Sequence, residues 1–442
     1  MTAMNPLDLL PELLILAGAV AGLVTGLFVP RDRQRVVAWI NAVALAGSAV
    51  ATAAVMTNQD KMAFEAYAID LVTNVTRLTV ALATLLVIPL AAAWAAGTKR
   101  ESELYTLLAL AALGTIVLAG ADDLLVLVAA YLLASIPAYT LAGFAKDAPG
   151  TEAALKYYLM GAFLGVLMLA GVTLAYGLAG ATAYPQARVP AVAAVLLLAG
   201  LLFKAGAAPA HFWVPDVAEG ASRPVAAFVT TVPKIGAFAA LYRLAVEVLN
   251  EPALLAVVAV VTMTLGNLAA FHQANVRRLL AYSTISQAGY LLVPVVVAGR
   301  SELAEPALLY YLAAYAITNL GAFAVVAGVG KDALADYAGL ARRAPWTAAA
   351  LVVCLLGLIG TPPTAVFAGK LLMFAAAWDG GYGWLAVVAA ANTVASVFYY
   401  LRWIRPVFAQ EGAGEGRAGP VALLAAACSI ALGLAGGIIL LI

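Results

Sequence analysis

Apolar runs as long as a bilayer is thick recur from one end of this chain to the other, and a soluble fold cannot bury them all. The run 9–29 is one, and the shorter stretch 191–203, AVAAVLLLAGLLF, leads into an interruption. Crossing a bilayer takes roughly 20 apolar residues. Soluble domains are about half apolar and a quarter charged, whereas this chain is 65% hydrophobic and 11% charged, with a mean hydropathy of +0.99. The fold class expected is therefore an all-α polytopic membrane protein with about 14 transmembrane helices. They fall roughly at 7–29, 36–57, 70–97, 103–120, 122–145, 151–180, 190–221, 223–249, 252–273, 276–299, 304–329, 346–377, 384–409 and 418–441. The run 9–29 is too long for a cleavable signal and ends in RDRQR, so it reads as the first span.

Helices 7 and 12 of this series are overlong and interrupted, by AAPAHFWVPD (207–216) and GTPPTAVFAGK (360–370). Proline removes a backbone donor and clashes with the preceding turn. Inside a membrane the freed carbonyls are tolerated only where protein or water meets them. Two broken helices thus imply a polar interior.

Charge in the loops sets an orientation. Alternate loops collect Arg31, Arg33 and Arg35; Lys99 and Arg100; Lys146; Arg223; Arg277 and Arg278; Lys331, Arg342 and Arg343; then Arg402, Arg405 and Arg417. The intervening loops hold Lys61, Arg188 and Arg300 beside acids such as Asp122 and Asp123. By the positive-inside rule both termini face away from the cytoplasm. Six tryptophans (39, 94, 346, 378, 384 and 403) fall near span ends, as interfacial belts require; Trp213 sits at a helix break instead. Gly18, Gly22 and Gly26 repeat every four residues, a spacing that lets a neighbouring helix approach closely. GAGEG at 412–416 follows no strand and reads as a loop, not a nucleotide-binding turn.

Several classes are excluded. A net charge of +1 gives no footing for nucleic acid. Cys354 and Cys428 are too few for an iron–sulfur cluster, which takes about four ligands. With only His211 and His272 besides, neither haem nor a metal site is expected, and no cofactor is assigned to this chain.

Three lysines lie where lysine is costly: Lys204 before AGAAP, Lys234 in TTVPKIGAFAAL, and Lys370 in TAVFAGKLLMF. A central charge costs roughly 2.5–3.5 kcal/mol on insertion scales and usually faces a bundle interior or water. Each sits within eight residues of a proline: Pro209, Pro233, or the pair Pro362 and Pro363. A broken helix supplies carbonyls that an ammonium can meet. Snorkelling to the headgroups is the bland alternative, although Lys234 lies about eleven residues inside its span. Two such amines about 10 Å apart, at an effective dielectric near 20, repel by about 1.7 kcal/mol. Protonating one then favours release from the next, which is the behaviour of a proton relay. His211, whose imidazole titrates near neutrality, is a candidate partner in that relay or a structural histidine. Asp216 and Glu219 either feed the relay or cap the second half of helix 7, with capping favoured. Arg277 and Arg278 read as flanking charges, and His272 as interfacial.

The block FKAGAAPAHFWVPDVAEGASRPVAAFVTTVPKIGAFAALYRL (203–244) resembles the N subunits of bacterial NADH–quinone oxidoreductase, the respiratory complex I. These are antiporter-like proteins of its membrane arm. GTEAALKYYLMGAF (150–163), GNLAAFHQANVRRLLAYSTISQAGY (266–290) and GLIGTPPTAVFAGK (357–370) carry the same resemblance. The wording HFWVPDVAEG is similar to the N subunit, where L and M subunits and multisubunit sodium/proton antiporters more often read HTWLPDA. The resemblance implies inverted five-helix repeats, helices 4–8 and 9–13, each with one broken helix. The expected parts are 1–102 (three helices), 103–250 (first repeat), 251–410 (second repeat) and 411–442 (the last helix). It also implies that Lys204, Lys234 and Lys370 are the family's lysines of helices 7, 8 and 12.

Two positions depart from the family pattern. Its fifth helix carries a glutamate in E-x-x-S-x-P, and the matching LLASIP puts Leu132 at the acid's place. The family's ISH in helix 10 is ISQ here, with Gln287 for a titratable histidine. The function implied is a proton-translocating subunit of an NADH:quinone oxidoreductase, in a bacterial inner (cell) membrane. NADH, FMN, iron–sulfur clusters and quinone would belong to partner subunits. A subunit of a cation/proton antiporter or membrane-bound hydrogenase is one alternative. A non-conducting scaffold, suggested by the missing glutamate, is the other.

Overall fold

The computed structural model describes residues 6–56, 61–410, 416 and 419–439. Among them run seventeen α-helices. In chain order these are α1 (Leu10–Phe28), α2 (Arg35–Val55), α3 (Leu71–Ala95), α4 (Glu101–Gly120), α5 (Leu124–Ala142), α6 (Ala148–Ala179), α7 (Ala191–Ala205), α8 (Trp213–Gly220), α9 (Arg223–Glu247), α10 (Pro252–Ala270), α11 (Val276–Val296), α12 (Ala304–Val329), α13 (Leu340–Arg343), α14 (Pro345–Ile359), α15 (Ala365–Asp379), α16 (Gly383–Val407) and α17 (Pro420–Ile439). Among the described residues, eleven helices are long and apolar enough to cross a membrane, and the chain is an all-helical, multi-pass membrane protein. Arg417 and residues 412–415 of the GAGEG stretch lie outside the described residues.

The helices form two compact units: α1–α7 with α9, and α8 with α10–α17. In the first, α9 is buried continuously from Pro224 to Leu244 and touches α3, α4, α5 and α7. Lipid gives helices little hydrophobic reason to associate, so close packing of small residues has to do it. A methyl group on Gly114 of α4 would lie 2.7 Å from the Cα of Ala134 on α5, and Gly236 of α9 abuts the carbonyl of Thr115. The four-residue glycine spacing of α1 acts likewise: Gly22 faces Asn41 and Val37 of α2, and Gly26 faces Ser102 of α4. In the second unit α11 takes the central place, touching α10, α12, α15 and α16. Gly266 of α10 packs on the Ser286 backbone, and Gly289 of α11 on Met263.

The two overlong predicted helices are each two shorter ones. α7 stops at Ala205 and α8 begins at Trp213; α14 stops at Ile359 and α15 begins at Ala365. The second stop is set by Gly360, whose φ of +87° suits glycine and lets its N–H reach back to Gly357 at 2.8 Å.

Two features differ from the sequence reading. A small antiparallel hairpin, β1 (Lys61–Ala63) and β2 (Tyr67–Ile69), occupies a predicted loop, turning through Phe64 and Glu65 at positive φ. Strands of three residues are too short to show an alternation. Trp403 is fully buried against Tyr337, ring centroids 5.2 Å apart, and is not interfacial; the other five span-end tryptophans are exposed.

Candidate functional site

All three lysines are buried, in different surroundings. Lys204 lies in the last turn of α7, within the first unit. Its Nζ has no hydrogen-bond partner and sits 5.4 Å from the ring centre of Tyr131. Tyr131, Ser135 and Tyr139 recur every fourth residue and so form one polar stripe on α5. The Tyr131 hydroxyl donates to the Gly161 carbonyl at 3.0 Å, while the Ser135 and Tyr139 hydroxyls, both buried, have no hydrogen-bond partner. Magnitudes decide how this should be read. A cation–π contact contributes about 0.5–2 kcal/mol, and burying an ion costs several kcal/mol. Stability alone does not account for an amine in this position.

Lys234 is buried midway along α9, directly after Pro233. The proline has no N–H for the carbonyl one turn earlier, that of Val229.

In the second unit Lys370, in the second turn of α15, meets the break before it. Its Nζ donates to the Ile359 carbonyl at 2.9 Å and to the Thr393 hydroxyl at 3.1 Å, and lies 4.2 Å from the ring centre of Tyr290. Gln287 of α11 serves the same break. Its Nε2 donates to the Leu358 carbonyl at 2.8 Å, and its Oε1 accepts from the Tyr311 hydroxyl at 2.7 Å. Ammonium and amide thus satisfy two carbonyls that helix α14 leaves open at its end.

A buried polar cluster accompanies Lys370 that sequence reading missed. Asn267 donates to the Asn392 side chain at 3.0 Å and accepts from Ser286 at 2.8 Å and Tyr399 at 3.2 Å. Ser283 and Tyr400 share a hydrogen bond of 2.5 Å, and Tyr315 donates to Thr284 at 3.1 Å. The signal was present on α16, where Asn392, Thr393, Ser396, Tyr399 and Tyr400 follow at helical spacing.

The remaining candidates have mainly structural partners. His211, half-buried in the break before α8, accepts the Val214 N–H on its carbonyl at 3.0 Å. Asp216 and Glu219 are bound to Arg278 of α11 at 3.3 and 2.9 Å, and Asn275 also donates to Glu219 at 3.1 Å. Arg277 pairs with Asp332 at 3.0 Å. These arginines clamp α8 and the loop after α12 to α11, beyond the flanking role expected of them. His272 is exposed, as an interfacial residue would be. A further buried pair, Arg77 to Glu12 at 2.7 Å, ties α3 to α1 in the first unit. Its signal was two opposite charges, each inside an apolar run.

Residues 121–398 match the family described as NADH:quinone oxidoreductase/Mrp antiporter, TM. The chain is 52% identical to NADH-quinone oxidoreductase subunit N of Mycobacterium sp. (strain JLS), over 98% of this chain and 97% of that one. The chain belongs to the NADH-quinone oxidoreductase subunit N family. Its fold is similar to that of a chain in respiratory complex I from Thermus thermophilus, with TM-score 0.87 and 34% identity over 97% of this chain and 98% of that one. A chain of the Mrp complex from Dietzia sp. DQ12-45-1b shares the fold at TM-score 0.86 and 23% identity, covering 100% of this chain and 96% of that one.

The two positions expected to depart from the family pattern have these places. Leu132 is 47% exposed on α5, one residue from the buried Tyr131 that Lys204 faces. Gln287 is buried and bonded at both ends of its amide, holding the broken helix where the resemblance implies a histidine.

Proposed function

We propose that this chain is a proton-translocating membrane-arm subunit of an NADH:quinone oxidoreductase complex, driven by redox chemistry in partner subunits. Lys204, Lys234 and Lys370 are its relay groups, with His211 as a candidate partner at the first break. In this reading it has fourteen spans, the split pairs α7/α8 and α14/α15 each counting as one. Helices of 103–250 and 251–410 form two inverted repeats between an N-terminal part, 1–102, and a last helix in 411–442. Both termini lie on the non-cytoplasmic side, as the loop charges favour. NADH, FMN, iron–sulfur clusters and quinone stay on the partners, in keeping with a chain that has only two cysteines, Cys354 and Cys428.

One observation carries the reading: amines are kept inside two compact helical units at positions where packing alone gives no return. Neither Lys204 nor Lys370 forms an ion pair among the described residues, so neither is a buried salt bridge holding helices together. Intramembrane ionisable groups of this kind mark proton and ion pathways. Hydroxyls beside Lys370, those of Thr393, Ser286 and Tyr399, supply groups that can pass a proton on. Asp216 and Glu219, held by Arg278, serve as a structural clamp before any role as an input.

The test is Lys234→Ala in the assembled complex. Quinone reduction should continue, and the proton gradient formed per electron should fall while assembly is kept. Normal pumping by that variant removes the central relay group. A scaffold reading is favoured by one observation, the structural use of Gln287. It predicts that each of the three lysines is replaceable without loss of pumping.

A further inference from the structure

At one loop end of the first unit, where α4 gives way to α5, carboxyls outnumber cations. Arg243, near the end of α9, grips Asp70 through Nη2 at 2.8 and 3.0 Å. Its Nε donates to the Ala119 carbonyl at 3.3 Å, and Glu247 stands 3.8 Å from its Nη1. Asp122, 4% exposed in the α4–α5 connection, accepts the Tyr184 N–H on its carbonyl at 3.0 Å, and its carboxyl and that of Glu247 act on each other beside Arg243. Asp123 is otherwise engaged: it accepts the Leu125 N–H at 2.7 Å and the Thr182 hydroxyl at 2.5 Å. Tyr67, on the adjacent hairpin, turns its hydroxyl to Glu12 at 2.6 Å.

A second observation points into the same place. Tyr184, before α7, is buried and its hydroxyl has no hydrogen-bond partner. The charges acting on that phenol are Arg243, Asp122, Glu247 and Asp123.

Two ionised carboxylates are acceptors only, and cannot hydrogen-bond to each other without a proton between them. One guanidinium facing Asp70, Asp122 and Glu247 leaves the group with excess negative charge, and carboxylates sharing a site do not all ionise. We propose that Asp122 and Glu247 share one proton at neutral pH, forming a proton-binding station with the Tyr184 hydroxyl as its third polar wall. Burial pushes the Asp122 carboxyl above the usual range, Arg243 and the hydrogen bond to Glu247 pull it down, and Asp70 and Asp123 push it up again. The proton is therefore held at low and neutral pH and lost as pH rises. Access is graded: Asp122 is inside, while the Glu247 side chain is 28% exposed. A proton bound at Asp122 reaches solvent through Glu247. Among the described residues no three His, Cys, Asp or Glu side chains converge as metal ligands.

The loop charges assign this end to the non-cytoplasmic side. Its role there as a release point rests on the proposed proton-translocating function; the shared proton does not. Infrared difference spectra of the assembled complex, stepped from about pH 5 to about pH 9, read protonated carboxyls directly. A carboxylic C=O band is expected, shifted in deuterated water and lost as pH rises. That band should be missing in both Asp122→Asn and Glu247→Gln and retained in Lys234→Ala, whatever happens to pumping there. A band unchanged in Asp122→Asn or in Glu247→Gln overturns the station. So does a wild-type spectrum with no such band, which needs no variant to fold.

Discussion

Single residues show why lysine was legible here and glutamine was not. A lysine in an apolar run costs enough to announce itself, and Lys204, Lys234 and Lys370 are indeed buried. Gln287 carries no charge, so its sequence meaning was only the loss of a titratable group. In space it holds the Leu358 carbonyl and the Tyr311 hydroxyl. The same limit hid Asn267, Ser286 and Tyr399, whose bonds depend on which helices meet. Arg278 was legible as a charge but not as the partner of Asp216 and Glu219, since 59 or more residues separate them. Gln287→Leu should leave two buried polar groups unsatisfied, at about 1–3 kcal/mol each. Thermal unfolding of the purified chain should show a clearly lowered midpoint; an unchanged midpoint contradicts the bonding described.

At the scale of elements, breaks were legible where local chemistry made them. Pro209, Pro362, Pro363 and Gly360 each say where a helix must stop, and helices stop there. What the breaks then hold depends on packing and was not legible. Nor were the three-residue strands 61–63 and 67–69, or the burial of Trp403, which sits near a span end yet faces inward. Gly360 joins backbone to chemistry. A Cβ there would lie 2.9 Å from Cδ of Lys370, in a backbone conformation that favours glycine. Gly360→Ala should therefore displace the Lys370 stem and strain the end of α14, by about 1–3 kcal/mol. It should lower proton pumping more than quinone reduction, which a stopped-flow dye assay on vesicles measures. Equal loss of both would show that the turn supports assembly alone.

The whole molecule belongs to a family whose fold serves more than one membrane complex. A chain of an Mrp complex shares that fold at 23% identity, so architecture by itself does not identify the function. The choice falls to the amines inside the two units, to their neighbours, and to a sequence 52% identical to a subunit N. The most direct test is the number of protons moved per electron by the complex in sealed vesicles, with Lys204→Met, Lys234→Met and Lys370→Met introduced one at a time. The account predicts a lower ratio in each, with quinone still reduced and the subunit still assembled. An unchanged ratio in all three would show that these buried amines do not carry protons.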